Sequence, residues 1–215
     1  MGKLEDFLSG TKVLEEAQSP VNGRVTVIRS MAWGTYIQVD NLTQSGGILK
    51  NVWKRSLKRI KNQELKIKNC LVVGLGGGTV VGLVKKYWPD AGVAGIDIDP
   101  IMVELGRKYL KMENVDVVIG DGFEYIKKEA KKGESYDLIL TDTYIGNDYP
   151  KRFESDNYIK YVKRSLSKEG KAVFNRLYFD GKRKQAIKFG EKLEKYFSKV
   201  EIVYPEANIM FICSH

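Results

Sequence analysis

Residues 70–100 read CLVVGLGGGTVVGLVKKYWPDAGVAGIDIDP, and the punctuation of this stretch decides the fold class. Cys70–Val73 is an apolar run too short for a helix, as expected of a strand buried on both faces. Gly74, Gly76, Gly77 and Gly78 follow at once. Lacking a Cβ, they let the backbone turn sharply and press against a ligand. Thr79–Tyr87 predicts a helix closed by Pro89, whose ring cannot continue it. Val93–Ile98 predicts a second strand that ends on Asp97 and Asp99. Strand, glycine turn, helix, strand and acid make a nucleotide-binding βαβ unit.

The acid has a chemical role. A carboxylate at the carboxyl end of the second strand can accept hydrogen bonds from both ribose hydroxyls of an adenosine. Asp97 lies 23 residues after Gly74, near the separation that sets a second strand's end beside the first turn. A dinucleotide fingerprint has a third small residue where this chain has Thr79. The spacing Gly74, Gly76, Gly78 suits S-adenosylmethionine enzymes instead, in which no pyrophosphate has to reach the helix N-terminus.

Upstream, a short helix is expected around Leu4 to Leu8, followed by a lead-in to residue 19. Arg24–Ile28 and Thr35–Val39 alternate in polarity across a turn containing Gly34, which predicts a β-hairpin. Ile48–Ile60 puts Ile48, Val52, Trp53, Leu57 and Ile60 on one helical face and bases on the other, a core-facing helix with a wet side. Downstream, strands are expected at Val115–Ile119, Asp137–Leu140 and Ala172–Asn175. Helices are expected at Ile101–Leu110, Phe123–Lys132, Asn157–Leu166 (stopping near Gly170) and Lys184–Phe197, with a loop at Asn147–Phe153. Val200–Tyr204 and Ile209–Cys213 close the chain as a hairpin. The alternation implies an α/β fold: a doubly wound, mostly parallel, seven-stranded Rossmann-like sheet. Residues 1–47 form a small N-terminal β-hairpin subdomain in this reading, and 48–215 the nucleoside-binding domain.

Acids stand at three of these strand ends: Asp97, Asp121 and Asp142. Ligands of open α/β sheets bind at the carboxyl ends of the strands. Each Asp could instead cap the next helix, an alternative weighed most heavily for Asp121. Three on the glycine-turn side favour a site, with Asp121 placed to accept from an adenine amino group. Asp142 stands opposite the first glycine turn, where a transferred group would lie.

Composition narrows the classes. The chain has 215 residues, is 43% hydrophobic, and so can bury a sizeable core. No apolar run reaches membrane-spanning length, and MGKLEDFLSG has acids where a signal peptide needs an apolar core. Cys70 and Cys213 sit in strand-like runs and read as buried thiols of a reducing compartment, hence a cytoplasmic protein. His215 is the only histidine, which removes His-based metal sites and a His general base; no metal is expected. Lys plus Arg exceed Asp plus Glu by 36 to 27, but most of the lysines are spread from Lys50 to Lys199 and interleaved with glutamates. That reads as a solvated surface, so neither nucleic acid nor a membrane is an expected partner.

These motifs resemble the spermidine synthases and their relatives, which share the fold of S-adenosylmethionine-dependent methyltransferases. The likeness covers most of the chain: SMAWGTYIQVDNLTQ with Asp40 and Gln44, CLVVGLGGG with the apolar Val72, GDGFEYI from Gly120, YDLILTDT from Tyr136, FESDNYIKYVKRSLSKEG and the terminal FICS. The resemblance implies that Gln44, Asp97 and Asp121, with Gly74, Gly76, Gly78 and Gly122, bind S-adenosylmethionine or its decarboxylated form, and that Asp142 is the catalytic acid residue. The chain also departs from the pattern. The family has an Asp at the position of Gly77, a second Asp at that of Ile145, and a Tyr near Leu49–Asn51, where none occurs here. The nucleoside half of the family site is thus present, while the polyamine half is largely missing. The expected activity is methyl transfer to a small acceptor, an amine being one candidate. The alternatives are aminopropyl transfer and a non-catalytic nucleoside-binding protein. A homodimer is compatible with either.

Overall fold

Residues 10–215 are described by the computed structural model, so the helix expected around Leu4 to Leu8 lies outside the described residues. Four strands come first: β1 (Thr11–Ser19), β2 (Gly23–Ser30), β3 (Gly34–Val39) and β4 (Leu42–Gly46), antiparallel in that order. The expected hairpin is β2–β3, in register from Val25↔Val39 to Ser30↔Gly34. It grows into a four-stranded sheet because the lead-in, residues 11–19, is itself a strand. A register shift between Val13 and Glu15 interrupts the polarity alternation of β1, which hides its period. β4 is short and polar, and its buried Ser45 bonds to other segments.

The second sheet has the order β10-β11-β9-β8-β5-β6-β7, built from β5 (Asn69–Val73), β6 (Gly92–Asp97), β7 (Asp116–Ile119), β8 (Tyr136–Thr141), β9 (Leu166–Leu177), β10 (Lys199–Val203) and β11 (Asn208–Ser214). β7, β6, β5, β8 and β9 pair in parallel, and β11 runs antiparallel to both β9 and β10. The helices are α1 (Leu49–Lys61), α2 (Thr79–Tyr87), α3 (Pro100–Tyr109), α4 (Gly122–Lys132), α5 (Asp156–Arg164) and α6 (Arg183–Leu193). None of them is long and apolar enough to cross a membrane. Chain order reverses between β5 and β8, the switch point where an open α/β sheet leaves a crevice for a ligand.

One face of this sheet is covered by α1 and α2, through Val52, Trp53, Leu57, Val80 and Val84. The other face is covered by α4, α5 and α6, through Ile126, Tyr158, Val162 and Phe189. Cys70 and Cys213 are buried free thiols within these layers. β9 departs from expectation. The helix before it stops at Arg164, and Leu166 already pairs with Tyr136, after which the register jumps to Leu138↔Lys171. The polar residues 167–170 bulge out of the ladder and mask the strand's start. At its other end Arg176 is only 3% exposed, its guanidinium stacked 3.9 Å from the Tyr149 ring centre and paired with Glu154. A charge that reads as a strand end is therefore inside the protein.

The N-terminal sheet packs Val25, Val27, Ile37 and Val39 on Met102 and Leu105 of α3. Asp99, fully buried, fastens the two parts together. It caps α3 by accepting from the N–H groups of Ile101 (2.9 Å) and Met102 (3.4 Å). It also accepts from Ser19 Oγ (2.5 Å) and Asn22 Nδ2 (2.6 Å) across the junction. A hydrogen bond to a buried charge contributes about 1.5–3 kcal/mol. Ser19→Ala is therefore expected to lower Tm by roughly 3–6 °C, taking about 1.5 kcal/mol and ~2–4 °C per kcal/mol for a chain of this size. An unchanged melting curve would mean that the junction does not depend on this bond.

Candidate active site

The crevice at the switch point is a cavity of about 60 Å³ whose wall includes Gln44, Gly74, Gly76, Asp97, Trp53 and Asp142. Five of the residues singled out by sequence (Gln44, Gly74, Gly76, Asp97 and Asp142) thus meet on one cavity, although they come from β4, the turn after β5, the end of β6 and the turn after β8. Gly74 makes the first turn at φ +85°, where any Cβ would collide with the backbone carbonyl of Asp142. The turn is consequently held against the segment that carries Asp142, with Asp142 N–H donating to Val73 O at 2.8 Å.

Asp97 ties the glycine turn to β6. Its Oδ2 accepts from the N–H of Gly76 at 2.6 Å, and its Oδ1 from the N–H of Asp99 at 2.8 Å. Burial raises its pKa above the ordinary carboxylate value, against the pull of these backbone donors. The same carboxylate that faces the cavity therefore also shapes the loop beside it.

Asp142 has both oxygens engaged. Oδ1 accepts from Asn175 Nδ2 at 2.9 Å and Oδ2 from Trp53 Nε1 at 3.1 Å. Asn175 Oδ1 in turn accepts from Asn208 Nδ2 at 2.8 Å, which fixes the amide's orientation. Burial pushes the Asp142 carboxyl up to about 6, while its two donors pull the other way and the nearby Asp97 adds a smaller upward push. A carboxylate with a pKa near 6 and two fixed donors can take a proton at neutral pH. Trp53, Asn175 and Asn208 were not read as site residues. A tryptophan on a core helix face does carry one usable signal, because its indole N–H needs an acceptor when buried. The two asparagines carry none locally.

The remaining candidates are dispersed around this centre. Gln44 donates from Nε2 to Gly146 O at 2.8 Å, fastening β4 to the loop after β8. Asp121 caps α4, its Oδ1 accepting from the N–H groups of Phe123 (2.8 Å) and Glu124 (3.2 Å), while Oδ2 pairs with Arg152. Gly122, with Gly74 and Asp97, lines a slot of about 40 Å³ whose walls include the apolar Ile96, Ile98, Ile145 and Pro150 as well as Thr143 and Arg152. Gly78 is the N-cap of α2 at φ +77° and faces a different cleft.

Gly77 is enclosed. A Cβ built there would lie 2.8 Å from Ile37 Cδ1, 2.9 Å from Leu110 Cδ1 and 2.9 Å from Ser45 Cβ. Its N–H donates to Ser45 Oγ at 2.9 Å, and α3 approaches so closely that a Cβ on Gly106 would be 2.5 Å from Gly77 Cα. The loop has closed over the space a side chain would need. Ile145 is held by a two-way backbone bridge with Asp148, both N···O distances being 2.9 Å. The Asp148 side chain is 92% exposed and Glu154 pairs with Arg176, and neither acid lines the cavity, whose only carboxylates among the described residues are Asp97 and Asp142.

The family model described as "Spermine/spermidine synthase domain" matches residues 54–209. The polyamine aminopropyltransferase of Vibrio vulnificus is 31% identical over 113 residues, 51% of this chain and 38% of that protein. The human eEF1A lysine and N-terminal methyltransferase is 29% identical over 172 residues, 73% of this chain and 25% of that protein. The chain thus spans about a quarter to two fifths of the length of these curated relatives. Among solved structures, human methyltransferase-like protein 13 in complex with SAH superposes with a TM-score of 0.62 at 25% identity, covering 76% of this chain and 79% of that one.

Proposed function

The chain belongs to the spermine/spermidine synthase domain family, and we propose that it is an S-adenosylmethionine-dependent transferase that methylates a small nucleophile. Its relatives include transferases named for aminopropyl and for methyl transfer, so family membership leaves the transferred group open. The observation that carries the choice is Gly77. In the spermidine synthases an acid at this position holds the terminal amine of the decarboxylated cofactor; here there is no carboxylate, and Ile37, Ser45 and Leu110 occupy the space next to the glycine.

The residues present fit the cofactor. The slot beside Asp97, with its isoleucine and proline walls, suits an adenine, with Gly122 at its wall and Asp121 at the end of the neighbouring strand. Asp97 accepts from the ribose hydroxyls, and Gln44 closes the opposite side. When bound, the cofactor supplies a sulfonium carbon whose leaving group is a neutral thioether. The protein's work is then alignment of an in-line displacement. The acceptor's lone pair forms the new bond as the carbon–sulfur bond breaks. Where the acceptor is an amine, its proton passes to Asp142 Oδ1 or Oδ2. Leu49 and Trp53 give the acceptor side an apolar wall in place of the family's Tyr.

Aminopropyl transfer is the second reading. It is favoured by the Vibrio relative and by the two cavity carboxylates, which attract a cation. Side-by-side calorimetry distinguishes the two. A loop acid would repel the carboxylate of the intact cofactor by about 1–4 kcal/mol at 4 Å, and its absence removes that penalty. S-adenosylmethionine is therefore expected to bind at least as tightly as the decarboxylated form, and putrescine should not yield spermidine. Tighter binding of the decarboxylated form together with spermidine formation would replace methyl by aminopropyl transfer.

A further inference from the structure

Behind the candidate active site, sharing Thr79 as a wall, lies a second and much larger cleft of about 650 Å³. Lys50 and Lys54 reach it from α1, Lys85 and Lys86 from the end of α2, and Lys111 from the turn after α3, against the single acid Glu113. Lysines that look dispersed along the chain are thus gathered onto one concavity. Lys85 is turned aside, donating to Ala91 O at 2.6 Å. None of the other four takes part in an ion pair among the described residues, and all four are exposed. Trp33 stands on the rim at 53% exposure, whereas Trp53 and Trp88 are buried. The walls between the lysines include Gly34, Gly46, Gly47 and Gly82, and at Gly82 a Cβ would meet nothing within 4 Å.

We propose that this cleft binds a phosphodiester strand, the backbone of single-stranded nucleic acid, with a base stacked on Trp33. Four unpaired ammonium groups on a concave surface concentrate polyanions. Glycines in the wall, beside an exposed indole, leave room for a flat ring, which an acidic peptide would not use. A positive groove with an aromatic platform is how sequence-tolerant single-strand binding is built. The cleft is formed by α1, α2, the β2–β3 turn, the end of β4 and the loop after α3, and holds neither Asp97 nor Asp142, so it does not depend on what the neighbouring cavity transfers.

The test is anisotropy titration of the whole chain with end-labelled single-stranded DNA and RNA 12-mers, read together with tryptophan fluorescence. If about four phosphates are neutralised, affinity should fall roughly fiftyfold between 50 and 200 mM salt, from a slope of about −0.7 per phosphate. Binding should quench the emission of Trp33. The double change Lys54→Glu, Lys86→Glu should weaken the 12-mers at least about tenfold while leaving affinity for S-adenosylhomocysteine unchanged; each removed phosphate contact is one released counterion fewer. Trp33→Ala should lose the quench and about fivefold or more in affinity, the low end of base–aromatic stacking. Equal binding by the double variant would overturn the proposal, as would wild-type affinity in Trp33→Ala. Labelled polyglutamate bound as tightly as the 12-mers would also overturn it and point to an acidic protein partner.

Discussion

Asp142→Asn is expected to lower turnover of an amine acceptor by about 100-fold or more, the usual cost of losing a general base, while nucleoside affinity stays within about twofold. The substitution keeps the volume of the side chain, and the new amide can still accept from Trp53 Nε1 or Asn175 Nδ2 with its one oxygen. It loses the charge, the ability to take a proton and one of the two acceptor oxygens. The pH profile gives an independent reading. With the wild-type carboxyl at about 6, the rate should climb about tenfold per pH unit below that value and flatten above it. Stability responds with the opposite sign. Burial favours the neutral form, so this group's folded pKa lies above its unfolded value of 3.8, and its contribution is complete below that value and lost as pH rises to about 6. The wild-type protein should surrender roughly 3 kcal/mol over that window on account of Asp142, and the Asn variant should not. A variant slower by less than about tenfold would remove Asp142 as the base. A variant no more stable than wild type at pH 7 would mean that the carboxylate is better solvated than its surroundings imply.

Asp97→Ala should weaken S-adenosylhomocysteine by about ten- to a hundredfold, since a charged acceptor for two hydroxyls contributes roughly 1.5–3 kcal/mol. Part of that loss comes from the loop and not from the ribose, because the same carboxylate accepts from the N–H of Gly76 at 2.6 Å. Asp97→Asn separates the two contributions. Its amide oxygen can still accept from one backbone N–H, so the loop is held in part while the charge facing the ribose is gone. A ribose role predicts that the Asn variant binds much less tightly than wild type and discriminates poorly between the nucleoside and its 2′,3′-dideoxy form. Wild-type affinity in a folded Asp97→Ala protein would remove this residue from the site.

Most of what these experiments address was legible in the chain. The doubly wound sheet follows from short apolar strands alternating with amphipathic helices, and β5, α2 and β6 begin and end within a residue or so of their punctuation by Gly74, Gly78 and Pro89. These are local signals: a period of two or 3.6, a residue that permits a turn, a ring that ends a helix. That the acids Asp97 and Asp142 line one crevice also follows, because parallel strands in a wound sheet present all their carboxyl ends on one side. Asp121 marks the limit of such reasoning. An acid before a helix caps it whatever else it does, and the cap is what the backbone N–H groups of Phe123 and Glu124 receive here.

Other features depended on which distant segments the sheet order brings together. Trp53, Asn175 and Asn208 surround Asp142 from α1, β9 and β11, and nothing within a few residues of any of them marks the meeting. β1 escaped notice because a bulge breaks its alternation, and Arg176 because a charge is buried only when a ring and a carboxylate from another loop are there to receive it. The loss of an acid at Gly77 was visible in the sequence, but that the space itself is closed by Ile37, Ser45 and Leu110 is a fact of packing. The cleft lysines, as far apart in sequence as Lys50 and Lys111, are interleaved with acids along the chain yet gathered in space. The chain by itself determined periodicity, turns and the side of the sheet on which chemistry can occur, since these depend on neighbours in sequence. Only the tertiary structure decided the partners of Asp142, the closure at Gly77 and the gathering of charge, since these depend on crossings of the sheet that bring remote residues into contact.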